Sequence, residues 1–443
     1  MNRAVDDHLA TADVESLNYD ARGVARIDGK ATFIDGALPG ETVRFRRLDL
    51  RRRHDSGVLV EVLRPSPDRI DAVCPHFGRC GGCSLQHLRP EAQITAKQRI
   101  LADALQHIGR VQPESWLAPL AGPIWRYRRR ARLGVRWVEK KGGVLVGFRE
   151  RRRSLITPLD TCPVLDERAM ILLPHLKRIV EALSCPHRIP QIELSAGDDA
   201  LAMVFRHLVP LTERDRASLS RFAHDHGVHV LLQGGGVDSI EPLSPALPPA
   251  LSYRIPDFDV ELAFGPVDFV QVNSAMNRLM VSRALELLAP SANERVLDLF
   301  CGLGNFTLPL ARRSARVLGI EVDEALVAAA GRNARQNAIS NVEFRRADLY
   351  AEQQEAPWAD FRADKLLLDP PRAGAMQVIK RLRPPLPARI VYVSCYASTL
   401  ARDAAHLVTE LGYEFKTAGV MDMFPHTSHV ESIALFVRPG NAA

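Results

Sequence analysis

Apolar runs alternate with amphipathic segments of helical period in the last third of the chain. This alternation predicts a parallel, doubly wound α/β sheet, because each buried strand is followed by a helix that returns the chain to the same edge. The predicted strands cover residues 295–299, 316–321, 342–346, 365–369, 389–394 and 431–437, and the predicted helices cover 274–288, 322–338 and 398–411. Ligands of such sheets bind at the carboxyl ends of the strands, so functional residues are expected there.

The first 66 residues carry short apolar runs separated by turn residues, a pattern typical of a small β-barrel. A loose leader is predicted to reach about residue 15. The β-like runs that follow cover residues 23–27, 31–34, 41–45 and 57–63. Asp28-Gly29 and Pro39-Gly40 supply turns between them. The pattern therefore predicts a five-stranded barrel of the OB type.

Between residues 67 and 265 the pattern is mixed and predicts an α+β domain. The predicted helices cover 91–108, 164–183 and 211–226, and the predicted strands cover 191–194, 201–205 and 228–233. A proline-rich segment from Pro242 to Pro256 leads into the last domain. The sequence therefore predicts three domains, at residues 1–66, 67–265 and 266–443, as expected for a chain of 443 residues.

The charge of the chain favours an anionic partner. The formal net charge is +6, and arginines are concentrated at residues 44–53, 126–132 and 149–153. In the second group the arginines alternate with Trp125 and Tyr127, a combination that suits single-stranded RNA because both kinds of side chain stack on bases. Each group also has a simpler interpretation, as a solvated loop, a strand with one wet face or the rim of a hairpin.

The sequence predicts a cytoplasmic protein without a membrane partner. No apolar run is long enough to span a bilayer, and Asp6, Asp7 and Glu15 lie where a signal peptide would be apolar. Nothing in the sequence indicates an obligate protein partner. The seven cysteines are expected to be reduced, because the cytosol disfavours disulfides.

Three of those cysteines, Cys74, Cys80 and Cys83, lie on one short segment with the spacing C-x5-C-x2-C. Gly81 and Gly82 would allow a thin loop to wrap a metal centre. Iron–sulfur ligation is favoured over zinc, because zinc sites usually show two C-x2-C pairs. A fourth ligand followed by proline could be Cys162 or Cys185, and spacing does not choose between them.

The turn after the first strand of the predicted sheet is a candidate cofactor site. Phe300-Cys301 is followed by Gly302-Leu303-Gly304, which permits a sharp turn and the close approach of a ligand. About twenty residues on, Glu321 ends the second strand and could accept hydrogen bonds from ribose hydroxyls. The third glycine of a dinucleotide fingerprint is missing, so the turn favours S-adenosylmethionine over NAD.

Other reactive side chains follow the later strands of the same sheet. Asp348 follows the third strand, Asp369 the fourth and Cys395 the fifth. Cys395 could act as a nucleophile, although a lone cysteine after an apolar strand is more often a small core residue. Glu431 precedes the closing strand and could be a general base or an exposed carboxylate.

Taken together, these motifs resemble the RNA (uracil-5-)-methyltransferase family. The resemblance covers nearly the whole chain, including an N-terminal barrel of the TRAM type. It is greatest for the members that methylate uridine 1939 of 23S ribosomal RNA, because those combine the barrel with the cysteine motif. The motifs that carry it are Cys74/Cys80/Cys83, Phe269–Asn273, Asp298–Phe306, Asp369–Gly374, Val393–Cys395 and His426–Glu431.

The resemblance implies roles for individual residues. Cys395 would be the nucleophile that adds to uracil C6, and Glu431 the base that removes the C5 proton. The implied S-adenosylmethionine contacts are Gln271, Phe300, Asn305, Glu321, Asp348 and Asp369, beside the Gly302 turn. The implied ligands of a 4Fe–4S cluster are Cys74, Cys80, Cys83 and Cys162. The resemblance also implies a class I methyltransferase fold for the last domain and an iron–sulfur loop in the central one.

The segment after the nucleophile departs from the family. The family reads Ser-Cys-Asn-Pro, whereas this chain reads Ser394-Cys395-Tyr396-Ala397. The thiol is retained, but any contact made by the asparagine side chain is lost.

Four other functions compete with this interpretation. The substrate could be another ribosomal or transfer RNA uridine. Asp369-Pro370-Pro371 could hold an amine, as in amino-methyltransferases, although Cys395 would then have no task. A cytosine-5 methyltransferase would place a cysteine beside that proline pair, where none is present. The chain could also be an RNA-binding iron–sulfur scaffold without activity.

Overall fold

The computed structural model describes residues 9–244, 251–351 and 355–440, which form two compact units. The first unit contains the residues before Leu101 together with Arg149–Thr157 and Phe424–His429. The second contains Leu101–Phe148, Pro158–Met423 and the residues from Val430 onward. This division is coarser than the three predicted domains, whose boundaries remain predictions.

One six-stranded sheet forms the body of the first unit. Its strands are β1 (Leu9–Asp13), β2 (Ser16–Leu17), β3 (Arg22–Ile27), β4 (Lys30–Asp35), β5 (Thr42–Leu50) and β6 (His54–Arg64), in the order β1-β5-β6-β4-β3-β2. Alternate residues point inward, so that Ile34, Val43 and Phe45 are fully buried in one apolar core. The four predicted β-like runs are therefore confirmed as strands, but a further strand on either edge gives six strands in place of the five predicted.

The predicted leader is wrong for the residues that the structure describes. Leu9–Asp13 forms β1, which pairs antiparallel with β5 and places Ala12 opposite Val43. The signal was missed because the inward residues of this strand are small alanines with little hydrophobic contrast. Residues 1–8 of the predicted leader lie outside the described residues.

The cysteine loop, Cys74–Cys83, is tied to the other two segments of the first unit. Gly81 N–H donates to Arg149 O at 2.9 Å, and Ser84 N–H and Leu85 N–H both donate to His426 O, at 2.8 and 2.9 Å. Helix α1 (Pro90–Ala104) adds the buried Gln93, whose amide oxygen accepts the His426 N–H at 2.8 Å. The first unit is therefore held together by hydrogen bonds between residues far apart in sequence.

A seven-stranded mixed sheet has most of its residues in the second unit. After β7 (Ser115–Trp116), its strands are β8 (Arg130–Val138), β9 (Gly143–Arg149), β10 (Ile156–Pro158), β11 (Gln191–Ala196), β12 (Leu201–Arg206), β13 (His229–Gln233) and β14 (Ile240–Pro242), in the order β10-β9-β8-β11-β12-β13-β14. Two helices of this region are α2 (Glu167–Glu181) and α3 (Glu213–His226). A hairpin of β15 (Leu251–Ile255) and β16 (Val260–Phe264) follows. Part of the predicted proline-rich linker is thus a strand, while residues 245–250 of it lie outside the described residues.

The group of arginines and aromatics at 125–132 is largely engaged within the second unit. Tyr127 is buried, Arg129 pairs with Asp198, and Arg130 donates to backbone carbonyls at Val267 and Asp268. The burial of β8 alternates along the strand. These observations favour the interpretation of a strand with one wet face over a continuous stacking surface for RNA.

An eight-stranded sheet, which also includes β7, carries the candidate site. Its other elements are α4 (Ser274–Leu288), β17 (Arg295–Leu299), α5 (Thr307–Ala311), β18 (Arg316–Glu321), α6 (Glu324–Gln336), β19 (Val342–Arg346), β20 (Lys365–Leu368), α7 (Met376–Lys380), β21 (Arg389–Ser394), α8 (Ala397–Thr409), β22 (Glu414–Met421) and β23 (Glu431–Val437). The order is β19-β18-β17-β20-β21-β23-β22-β7. All six predicted strands are confirmed. The order reverses between β17 and β20, where a crevice for ligands is expected.

Strand β23 runs antiparallel to both of its neighbours, β21 and β22. Its first residues therefore lie at the edge where the parallel strands end. Across the described ranges, no helix has the length and apolar character needed to cross a membrane.

Candidate active site

The turn after β17 has an unusual backbone. Phe300, Gly302 and Gly304 all have positive φ, at 68°, 55° and 98°. Only glycine adopts this region without cost, so Phe300 is held there by its surroundings, including an N–H donated to Ile320 O at 2.9 Å. A Cβ atom added to Gly302 would meet nothing within 4 Å, which leaves open space against the backbone for a ligand.

Glu321 closes one side of this turn. One carboxylate oxygen accepts the Gly302 N–H at 3.1 Å, and the other accepts the N–H groups of Val322 and Asp323 at 2.7 and 3.1 Å. The carboxylate is thus oriented by three backbone donors while the side chain remains partly exposed. This arrangement suits the predicted contact with ribose hydroxyls.

The side chain of Asn305, a predicted cofactor contact, is hydrogen-bonded to two other side chains. Its amide oxygen accepts from Tyr253 OH at 2.9 Å and from Asn277 Nδ2 at 2.8 Å, and its amide nitrogen donates to Asn277 Oδ1 at 2.9 Å. One amide N–H remains for a ligand. Tyr253 and Asn277 were not predicted, because no local pattern relates them to the turn.

Asp348 and Gln271 lie on the segments expected from the sequence. Asp348 is exposed and accepts the Tyr350 N–H at 2.9 Å. The Tyr350 ring lies 5.7 Å from the Phe300 ring, which connects this segment to the turn after β17. Gln271 is half-buried, two residues before Asn273, which caps α4.

Carboxyl groups are concentrated where β17 and β20 end. Asp298 is fully buried in β17, accepts from Thr307 Oγ1 at 2.6 Å, and has a pKa raised to about 8 by burial and by the charges of Asp369 and Glu321. Burial raises the pKa of Asp369, directly after β20, to about 7. Such a concentration of carboxyl groups favours a cationic ligand.

Cys395 and Glu431 come together at the same edge. The register of β21 and β23 pairs Ser394 with Ser432. Because these strands are antiparallel, the residue after Ser394 lies opposite the residue before Ser432, which brings Cys395 opposite Glu431. The Cys395 thiol is half-buried, and its pKa is raised to about 11, first by burial and then by the charges of Glu431 and Asp369. Arg372 acts in the opposite direction and lowers this pKa. Arg372 was part of a predicted motif, but no role had been assigned to it.

Because the raised pKa keeps the Cys395 thiol protonated at neutral pH, its reaction with iodoacetamide should accelerate about tenfold per pH unit from pH 7 to 10. Mass spectrometry of the Cys395 peptide measures this rate in the protein without ligands. An unstructured peptide of the same local sequence should level off near its ordinary pKa of about 8.5. A rate for the folded protein that is constant above pH 8 would contradict the prediction.

Tyr396, which departs from the family pattern, follows Cys395 on an ordered turn. Its N–H donates to Ser394 Oγ, and Ser394 Oγ donates to Tyr396 O, both at 3.2 Å. The turn into α8 is therefore held by Ser394, and the Tyr396 side chain is exposed.

The predicted cluster ligands are distributed over both units. Cys74, Cys80 and Cys83 belong to the first unit, where Gly82 N–H donates to Cys80 Sγ at 3.4 Å, and the buried Cys162 belongs to the second. Within the parts of the chain that the structure describes, no three His, Cys, Asp or Glu side chains are arranged around a metal position. Four thiolates are a donor set that suits iron–sulfur ligation.

The chain is similar to known proteins along nearly its whole length. Residues 252–438 match the family described as tRNA (Uracil-5-)-methyltransferase, and residues 10–46 match the TRAM domain. The chain is 52% identical to the 23S rRNA (uracil(1939)-C(5))-methyltransferase RlmD of Azoarcus sp. (strain BH72), over 97% of this chain and 100% of that protein. It is 51% identical to the enzyme of the same name from Xanthomonas axonopodis pv. citri, over 96% of each chain.

The fold also resembles a solved structure over almost its whole length. The crystal structure of Pyrococcus abyssi tRNA (uracil-54, C5)-methyltransferase in complex with S-adenosyl-L-homocysteine has a TM-score of 0.75 and 25% identity. The match covers 96% of this chain and 99% of that one.

Proposed function

The chain belongs to the RNA (uracil-5-)-methyltransferase family, and from this premise we propose that it methylates C5 of the uridine at position 1939 of 23S ribosomal RNA. The methyl donor is S-adenosylmethionine. The observation that carries the proposal is the placement of Cys395 opposite Glu431, at the strand edge that also holds the turn around Gly302. Relatives of about 50% identity named for this uridine support the choice of substrate.

The cofactor would bind in the open space before Gly302. Phe300 and Glu321 would contact its nucleoside, with Gln271, Asn305, Asp348 and Asp369 as the other protein contacts. When bound, S-adenosylmethionine supplies an electrophilic methyl group on a sulfonium centre. The carboxyl groups of Asp298, Asp369 and Glu321 would favour that positive charge.

The reaction at uracil would use Cys395 and Glu431 in succession. The Cys395 thiol first loses its proton to solvent, and the thiolate then adds to C6, so that a C–S bond forms and C5 becomes an enolate-like nucleophile. C5 would then take the methyl group as its bond to the sulfonium sulfur breaks, with S-adenosylhomocysteine as the leaving group. Glu431 removes the remaining C5 proton, the C6–S bond breaks, and its electron pair returns to sulfur to regenerate the thiolate. The target base has to be turned out of its RNA to reach these groups.

Mapping of 5-methyluridine in ribosomal RNA tests this function directly. A strain that lacks the protein should lose the modification at uridine 1939 and regain it with the wild-type chain. Loss at a different ribosomal or transfer RNA uridine would replace the proposed substrate with that one. Complete retention of 5-methyluridine with loss of a methylated amine would favour the amino-methyltransferase alternative.

We also propose that the cysteine loop and Cys162 hold a 4Fe–4S cluster with a structural or RNA-positioning role. The proposed reaction needs no electron transfer, so the cluster would take no part in the chemical steps. Chelation or oxidation should therefore weaken folding or RNA binding. Intact folding and RNA binding together with lost methyl transfer would contradict this role.

Replacing Cys162 with serine should remove the visible absorption of the cluster and most of the about four irons per chain from anaerobically purified protein. Cys185→Ser is the matched control, because Cys185 is also followed by proline, and this variant should keep both. Loss of the absorption and the iron in Cys185→Ser, with both retained in Cys162→Ser, would make Cys185 the ligand. Bound zinc without visible absorption would replace the cluster with a zinc site.

The barrel of the first unit is proposed as a surface for RNA. The arginines concerned lie on or beside β5 and are Arg44, Arg46, Arg47, Arg51, Arg52 and Arg53. Arg44 pairs with Glu61 at 2.7 Å and Arg51 with Asp49 at 2.8 Å, so part of this charge is balanced within the sheet. The TRAM match to residues 10–46 supports the assignment.

A further inference from the structure

The segment after Asp369 ends in three residues whose backbone is held by side chains. Ala373 O accepts from Arg402 Nη2 at 2.9 Å, and Gly374 O accepts from Tyr350 OH at 2.9 Å. Ala375 N–H donates to Asp403 Oδ2 at 2.6 Å and to Tyr392 OH at 3.0 Å. We call residues 373–375 the loop tail.

Asp403 is the centre of this arrangement. It lies in the middle of α8 and is fully buried. One carboxylate oxygen accepts from Tyr392 OH at 2.7 Å in addition to Ala375 N–H, and the other accepts from Arg402 Nε at 2.8 Å. A buried carboxylate with this number of donors holds its neighbours in one geometry, because any displacement leaves charge unpaired.

The loop tail packs directly against the pair formed by Asp403 and Arg402. Gly374 has a φ of +81°, and a Cβ atom there would lie 2.6 Å from Asp403 Oδ2 and 2.7 Å from Arg402 Nη2. No other residue type fits this approach without displacement of the pair. The position of the loop tail is therefore set by α8.

The same segment presents charged groups to the reactive thiol. Asp369 and Arg372 lie on it, and Glu431 faces the thiol from β23. Tyr350, which bonds Gly374 O, also interacts electrostatically with Cys395. Of the side chains named here, only Arg372 stabilises the thiolate, and it is one residue from the loop tail.

We propose that Asp403 is a positioning residue for the reaction, since with Tyr392 and Arg402 it holds the loop tail so that Arg372 faces Cys395. The inference rests on the proposed function, in which Cys395 is the nucleophile. Tyr392 extends the link, because it lies in β21 three residues before Cys395. The competing explanation is that Asp403 only stabilises the packing of α8.

A double-mutant cycle on the resting enzyme distinguishes the two explanations. Iodoacetamide alkylation of Cys395 is measured at several pH values, without RNA or cofactor, in the wild type, Asp403→Asn, Arg372→Ala and the double variant. If Asp403 acts through Arg372, Asp403→Asn should slow alkylation about tenfold when Arg372 is present and less than about twofold when it is absent. Equal slowing in both backgrounds would overturn the proposal.

Asp215→Asn is the matched control for the loss of a buried carboxylate. Asp215 is 1% exposed, belongs to the same unit, and bonds Ser184 and Thr212 at the start of α3, away from the eight-stranded sheet. Its replacement should lower the melting temperature but leave the rate and the pH dependence of Cys395 alkylation unchanged. An effect on Cys395 equal to that of Asp403→Asn would also overturn the proposal.

If Asp403→Asn does not fold, Tyr392→Phe replaces it in the cycle. This variant removes one donor to Asp403 and should slow alkylation about threefold, again only when Arg372 is present. The positioning role of Asp403 and the proposed function can be refuted independently. Retained methyl transfer by Cys395→Ala would refute the nucleophilic role, whereas the alkylation data would still decide whether Asp403 orders Arg372.

Discussion

Replacing Cys395 with alanine should reduce uridine methylation by at least about 10⁴-fold, because C5 of uracil is a poor nucleophile until a thiolate has added to C6. Transfer of labelled methyl groups to a 23S RNA fragment measures the loss. RNA with 5-fluorouridine at the target should form a covalent complex with the wild type, because fluorine cannot be removed as a proton. This complex should be absent from denaturing gels of the variant.

Two controls separate chemistry from folding. Cys395→Ala should bind S-adenosylmethionine with the affinity of the wild type, since the turn around Gly302 is untouched. Cys185→Ala also removes a half-buried thiol from the second unit and should keep its turnover. Retained methylation by Cys395→Ala would exclude the covalent mechanism and favour an amine bound by Asp369-Pro370-Pro371.

Replacing Glu431 with glutamine should stop the reaction at a later point, with the methylated RNA still attached to Cys395. The amide cannot take the C5 proton, so turnover should fall by about 10²- to 10⁴-fold. Addition to C6 should not be slowed, because the Glu431 charge raises the pKa of the Cys395 thiol and its removal makes the thiolate easier to form. A rapid-quench experiment should show about one labelled methyl group per chain in protein-linked RNA.

Glu414→Gln is the matched control for this substitution. Glu414 is the first residue of β22, as Glu431 is of β23, and it pairs with Lys416 at 2.7 Å away from the reacting groups. The control should turn over normally without accumulation of the adduct. Loss of methyl transfer in Glu431→Gln without any labelled adduct would move Glu431 to an earlier step.

Apolar runs and turn residues were sufficient to predict six of the eight strands of the eight-stranded sheet. Each predicted strand is a short apolar run with a turn residue at its end, so its bounds could be read from sequence alone. Strand β22 was missed because buried and exposed residues do not alternate regularly along it. Its register shifts between Phe415 and Thr417, and the residues that follow are continuously buried. Strand β7 has only two residues, too few for any pattern.

The same distinction applies to the site. The positions of Glu321, Asp369 and Cys395 could be predicted because each lies at or directly after the end of a strand, where ligands of parallel sheets bind. Asp403 and Tyr392 could not, since they lie inside a helix and a strand, and only tertiary packing brings them to the loop tail. Arg372 could have been suspected from a cation placed among strand-end acids. The cluster ligands remain predictions.

The hydrogen bonds from Ser84 and Leu85 to His426 also have a consequence for biosynthesis. Synthesis at about 5–20 residues per second would separate Ile100 from Phe424 by roughly 15 to 65 seconds. Throughout that interval the segment beside the cysteine loop has no partner for these amides, although the barrel before it is already complete in sequence. Throughout this interval the nascent chain therefore carries the three thiols of the cysteine loop on an unfinished unit, where they are exposed to oxidation.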